Sequence, residues 1–203
     1  MPWSIRRSTQ GPVTVDAFLI SAAGVAVAEI GDRTQLLALM LAARYPARPW
    51  PLLAGILIAT LANHALAGLA GASIGDLFPG RWLDAALGVG FLVMAAWLLR
   101  PDSADDADAD ANGRGPFLAA LMAFFVAEIG DKTQLATVAL AAQYPDVVAV
   151  VLGTTAGMMI ANVPVVLVGR KFADRLPVRA IHLVAAALFA VLGVLALWRA
   201  FGA

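Results

Sequence analysis

The chain repeats itself around the residues that are hardest to bury. Residues 28–46 read AEIGDRTQLLALMLAARYP and residues 127–145 read AEIGDKTQLATVALAAQYP, identical at 13 of 19 positions at an offset of 99. Asn63 and Asn162 share that offset. A repeat on this scale means two copies of one structural unit, and it constrains every other element. Each copy sets a Glu and an Asp inside an apolar run, so the fold must find a use for four acids: Glu29, Asp32, Glu128 and Asp131.

Composition identifies the solvent. The chain is 61% hydrophobic and 14% charged, with a mean hydropathy of +0.82, against about 45–50% and about 25% for soluble domains. A globule of 203 residues with so few polar side chains cannot be coated for water. An ordinary cytosolic enzyme and a disordered chain are excluded. A nucleic-acid binder needs clustered basic charge, whereas Lys+Arg 14 balances Asp+Glu 14. With no Cys, disulfide scaffolds, thiolate metal sites and thiol catalysis are excluded too. What remains is an integral membrane protein.

Six segments approach the roughly 20 apolar residues that a spanning helix needs: 14–42, 52–74, 82–99, 116–142, 147–169 and 179–199. Alternating strands of barrel type are absent. The expected fold is therefore all-α, with six transmembrane helices rich in the small residues that let helices approach. Trp50, Trp82 and Trp198 fall near span ends, where interfacial Trp belongs. Arg6, Arg7 and the Ala26-Val27-Ala28 triplet imitate a signal peptide. The apolar run continues to Leu41, and the same stretch recurs deep in the chain, so that reading fails.

The motif spans are the first and the fourth, so repeat 1 is 14–99 and repeat 2 is 116–199, three spans each. An odd number of spans inverts the second repeat relative to the first. In secondary transporters built this way, the substrate site lies near the midplane between repeats. The connection at 100–115 contains five Asp and two Gly and reads as a solvated acidic linker. Counting Lys and Arg in the short loops sets the orientation. One side carries Arg44, Arg48, Arg100, Arg114, Arg170, Lys171, Arg175 and Arg179, the other Arg6, Arg7, Arg81 and Arg199. The linker is then cytoplasmic and both termini lie outside.

A charge at mid-bilayer costs about 2.5–3.5 kcal/mol or more, so four of them need a reason. On an unbroken helix Glu29, Asp32 and Gln35 share one face, as do Glu128, Asp131 and Gln134. Thr34 and Thr133 lie off that stripe, and Gly31 and Gly130 offer a point at which to loosen it. If both stripes face the repeat interface, the four carboxylates and two amide oxygens converge, with Asn63 and Asn162 as further ligands or interhelical hydrogen-bonding groups. Oxygen ligands without thiols or imidazoles suit Ca²⁺, Mn²⁺ or Mg²⁺. Four carboxylates against Arg33 and Lys132 leave two negative charges, which one divalent ion cancels. Once it leaves, the acids repel one another and take up protons. The cation is cargo, and no permanent cofactor is expected. His64 and His182 have no counterpart at the offset and read as local structure, and Pro164 as a kink in the fifth span.

Both copies of the motif, Glu29-Ile30-Gly31-Asp32-Arg33-Thr34 and Glu128-Ile129-Gly130-Asp131-Lys132-Thr133, fit a duplicated E-x-G-D-[KR]-[TS] signature. The chain thereby resembles the Gdt-type cation/proton exchangers, whose bacterial branch includes MneA-type manganese exporters. The resemblance spans 14–199. It implies two inverted three-helix repeats in a bacterial inner membrane. It also implies export of Mn²⁺, or alternatively Ca²⁺, in exchange for protons at Glu29, Asp32, Glu128 and Asp131. The expected partners are the ion, protons and lipid, with a homodimer admissible and nucleic acid excluded. A divalent-cation channel is the rival from another class, and would call for a continuous pore around an axis. An intramembrane metalloenzyme would call for an open metal position with a general base, and no H-E-x-x-H or Ser-His pairing is present.

Overall fold

The computed structural model describes residues 15–77, 80–99, 115–169 and 178–202. The linker up to Arg114 lies outside the described residues. So do Arg6, Arg7, Arg100, Arg170, Lys171 and Arg175 of the orientation count, and the side chain of His182. The described residues are helical throughout and contain no strand: α1 (Val15–Glu29), α2 (Arg33–Arg44), α3 (Pro49–Leu77), α4 (Arg81–Leu98), α5 (Pro116–Glu128), α6 (Lys132–Gln143), α7 (Val147–Val168) and α8 (Val178–Phe201). Four stretches are long and apolar enough to cross a membrane unaided: α3, α4, α7 and Leu183–Phe201 of α8.

The two motif spans are each divided. Helix α1 stops at Glu29 and α2 starts at Arg33; α5 stops at Glu128 and α6 starts at Lys132. The cause is Gly31 at φ 83° and Gly130 at φ 75°, left-handed backbone that a side chain disfavours and a continuing helix cannot contain. Asp32 and Asp131 then take extended backbone and become the N-caps of α2 and α6. The unbroken stripe expected for Glu29, Asp32 and Gln35, and for its copy, does not form. Each Gln instead folds back on the turn: Gln35 Oε1 accepts from the Gly31 N–H at 2.9 Å and Gln134 Oε1 from the Gly130 N–H at 2.7 Å. A freed backbone donor is thereby satisfied where water is scarce. Pro164 sits inside α7 without ending it.

Glycines set the helix pairings. A Cβ on Gly55 of α3 would stand 2.4 Å from Phe117 O of α5. One on Gly157 of α7 would stand 2.4 Å from Ala22 O of α1, and one on Gly153 would stand 2.5 Å from Phe18 O. The register 18–153, 22–157 makes α1 and α7 parallel. Each motif helix therefore lies on the long helix of the other half, α1 on α7 and α5 on α3. Gly68 of α3 packs on Val147 and Val151 near the start of α7, whereas Thr60 and Asn162, earlier on α3 and later on α7, both reach motif Glu residues, so these two run antiparallel. Helices α4 and α8 also pair antiparallel, through Gly88 against Gly193 and Leu197 and through Phe91 against Phe189.

Two apolar clusters flank the motif turns. One joins Leu37, Leu41, Leu52, Ile56, Phe124 and Val165; the other joins Phe91, Met94, Leu98, Leu140, Val150 and Phe189. Outward faces carry exposed Leu66, Leu69, Val89, Val93, Val191 and Leu195, an apolar coat suited to lipid. Trp50, Trp82 and Trp198 are exposed at helix ends, as expected of an interfacial belt.

Candidate cation site

Because each motif span breaks just after its Glu, the acidic residues sit at helix ends facing each other rather than along two parallel stripes. Glu29 closes α1, Asp32 caps α2 and Asp131 caps α6. All three are buried, and one carboxylate oxygen from each lies within 4.8 Å of the others. Two of the three come from one repeat and one from the other. Glu128 is equally buried but turned towards α3, where its Oε1 accepts from Thr60 Oγ1 at 2.7 Å. The structure thus gathers three of the four expected acids and leaves Glu128 at the edge of the group.

The bases cross over. Lys132 Nζ of repeat 2 sits 2.9 Å from Asp32 Oδ1 of repeat 1, with both side chains almost fully buried. Arg33 Nη2 of repeat 1 sits 3.3 Å from Asp131 Oδ1 of repeat 2 and donates to Ala127 O at 2.7 Å. Pairing each Glu with the base four residues on, the local alternative open to each helix, is not what forms. The ion pairs tie the two motif turns together. They are unequal: the Arg33 side chain keeps 29% of its exposure and Lys132 keeps 2%. Lys132 Nζ also faces the ring of Trp97 on α4, 6.0 Å from its centroid.

The expected supporting residues divide in role. Glu29 Oε1 accepts from Thr34 Oγ1 and, across the repeats, from Asn162 Nδ2 at 3.1 Å. Thr34 Oγ1 and Thr133 Oγ1 also reach Asp32 Oδ2 and Asp131 Oδ2, at 3.4 and 3.3 Å. Gln35 and Gln134 commit their amide oxygens to the glycine turns, and Gln35 Nε2 donates to Ala161 O. Asn63 Nδ2 donates to Phe125 O at 3.0 Å. His64 is buried with no partner on either ring nitrogen among the described residues.

At the motif turns, Glu29 Oε2, Glu128 Oε2 and Asn162 Oδ1 are buried acceptors with no donor among the described residues. A carboxylate or amide oxygen can only accept, so a water or a cation can complete each, and a proton either carboxylate. Carboxylate, hydroxyl and amide oxygens form a hard-ion donor set. Sequence reasoning missed Thr60 and Trp97. Thr60 lies three residues before Asn63 on α3, a polar spacing along one face that could have marked it; nothing in the sequence singles out Trp97.

An apolar helical chain with buried acids joined across two repeats fits the class of membrane cation transporters. The family described as "Divalent cation/proton antiporter GDT1" matches residues 17–106 and 116–203, and the chain belongs to it. It is 53% identical over 171 residues to the "Putative manganese exporter" of Vibrio cholerae, covering 84% of each chain. It is 31% identical over 195 residues to GDT1-like protein sll0615 of Synechocystis, covering 86% of this chain and 93% of that one. Identity to GDT1-like protein 5 of Arabidopsis thaliana is 29% over 218 residues, covering 89% and 94%. No solved structure matches the chain.

Proposed function

We propose that this protein exports Mn²⁺ from the cytoplasm in exchange for protons, by alternating access to one intramembrane site. The observation that carries the reading is the buried group of Glu29, Asp32 and Asp131, drawn from both motif turns, with the orphaned acceptors beside it. Glu29, Asp32 and Asp131 hold the ion. Glu128 joins them when its Thr60 contact is released, or serves the returning protons. Thr34, Thr133 and Asn162 orient the carboxylates, while Gln35, Gln134 and Asn63 fix the surrounding backbone. Arg33 and Lys132 compensate charge, so that one divalent ion brings the site to neutrality. Protons and metal compete for the same oxygens, and that competition is the coupling.

Six spans arranged as two inverted repeats fit the helix directions. Helix α5 follows α3, with Gly55 at Phe117 and Thr60 at Glu128, and α1 follows α7, while α3 and α7 oppose each other, so α1 and α5 run in opposite senses. Alternating access is supported by an opening beside the end of α2. Gly71 and Gly75 hold α3 tightly on α6, their Cβ positions 2.2 Å from Val138 O and 2.7 Å from Ala142 O. The seam of α7 on α2, described as far as Gly169, contains a crevice of about 440 Å³ between Met40, Pro46, Val166 and Gly169. In the orientation set by the loop charges, with the termini outside a bacterial inner membrane and the 100–115 linker in the cytoplasm, that crevice faces the cytoplasm.

Mn²⁺ is favoured over Ca²⁺ by the relative named a manganese exporter. The test is reconstituted flux with Mn²⁺, Ca²⁺ and Mg²⁺ side by side, with and without a pH gradient. Mn²⁺ movement driven by an opposing proton gradient is expected. Flux that ignores the gradient would remove the coupling and leave the channel reading.

A further inference from the structure

Lys132 is placed where the transported ion has to go. Its ammonium lies 2.9 Å from Asp32 Oδ1, and Asp32 belongs to the three-carboxylate group. A divalent ion on that group would stand within a few ångströms of the ammonium, a strong repulsion away from bulk water. The lysine stem is long and flexible and its head is a compact point charge, so the ammonium swings aside rather than sharing the carboxylate. Trp97 already faces it, with the ring centroid 6.0 Å from Nζ, the outer limit of a cation–π contact. An ammonium released from Asp32 has that ring within reach.

Among the described residues the arrangement is confined to one repeat. Arg33, the equivalent base, is held by Ala127 O as well as by Asp131, and the position 99 after Trp97 is Ala196 on α8. Helix α4 therefore brings to one motif turn an aromatic face that the other does not have among the described residues.

Resting on the exchanger reading above, we propose that Trp97 is a positioning residue for transport: it receives the Lys132 ammonium when a divalent cation displaces it from Asp32, and so sets the affinity for the ion. Lys132 is a tethered cation that fills the empty site, and Trp97 stabilises the loaded one.

The test pairs flux with fluorescence. In proteoliposomes, Trp97→Leu is expected to raise the KM for Mn²⁺ on the order of tenfold, with maximal flux within twofold of wild type. Trp97→Phe, which keeps a weaker ring, falls between. Separately, a chain with Trp97 as its only tryptophan (Trp3, Trp50, Trp82 and Trp198 each changed to Phe) is titrated with Ca²⁺, which lacks the paramagnetic quenching of Mn²⁺. A saturable change in emission, lost on adding Asp32→Asn, is expected. A KM for Trp97→Leu within twofold of wild type overturns the proposal, as does an emission that does not respond to Ca²⁺ at concentrations that compete with Mn²⁺ flux. Absence of Mn²⁺ flux in the wild type would sink the exchanger reading instead, while the emission titration would still report whether the ion engages Trp97.

Discussion

Lys132→Met offers the sharpest view of how the two motif turns hold together. The ammonium and Asp32 Oδ1 are 2.9 Å apart with almost no exposure on either side chain. At an effective dielectric of about 20 that separation is worth about 6 kcal/mol of attraction, before desolvation is charged against it. Removing one partner of such a buried pair costs about 3–5 kcal/mol, because the other charge is left behind. Here the loss belongs at the upper end, since Asp32 is also crowded by Glu29 and Asp131. For a chain of this length that corresponds to a fall in melting temperature on the order of 10 °C. Adding Asp32→Asn removes the stranded charge and one of three mutually repelling carboxylates, so the double variant recovers most of the loss. The assay is thermal unfolding of purified protein in detergent with a chelator present. A single variant that melts within about 2 °C of wild type, or a double variant that melts lower than the single, would refute the crossed pairing as the clamp between repeats.

Other outcomes follow from the same geometry. Glu29→Gln abolishes divalent flux without lowering the metal-free melting temperature, because the lost carboxylate sits beside two others; undiminished flux would remove Glu29 from the site. Gly71→Ala destabilises by about 1–3 kcal/mol, since its Cβ meets Val138 O at 2.2 Å. Gly90→Ala, with nothing within 4 Å, is neutral or stabilising; equal effects in thermal unfolding would contradict the close α3–α6 seam. Gly31→Ala and Gly130→Ala each cost about 1–2 kcal/mol from left-handed backbone, read by the same assay, and unchanged melting in both would deny the broken-helix turns.

The sequence reveals the duplication, the apolar solvent and the acidic turns because each is written in residue type and spacing. Gly31 and Gly130 even mark where the motif spans divide. The repeat says nothing of what lies across the interface, and there the structure adds most. Motifs alike in every acid place Glu29 among carboxylates and Glu128 against Thr60, because α3 offers a hydroxyl at residue 60 where α7 has Met159. The bases look like local partners of their own Glu on a helical wheel. Breaking the helix at glycine swings each one towards the opposite repeat instead. Gln35 and Gln134 read as ligands by their spacing, yet a broken helix must satisfy its freed N–H groups, and these amides do so. Trp97 was invisible because its role depends on where α4 lies relative to α6.

The claim that the two motif turns build a single shared site is tested most directly by counting bound ions. Electron paramagnetic resonance titration of purified protein with Mn²⁺ is expected to show one tightly bound ion per chain. That ion is expected to be lost on Asp32→Asn alone and equally on Asp131→Asn alone. Two ions per chain, each removed by only one of the substitutions, would mean that the repeats bind separately, and the exchange mechanism built on their union would fall.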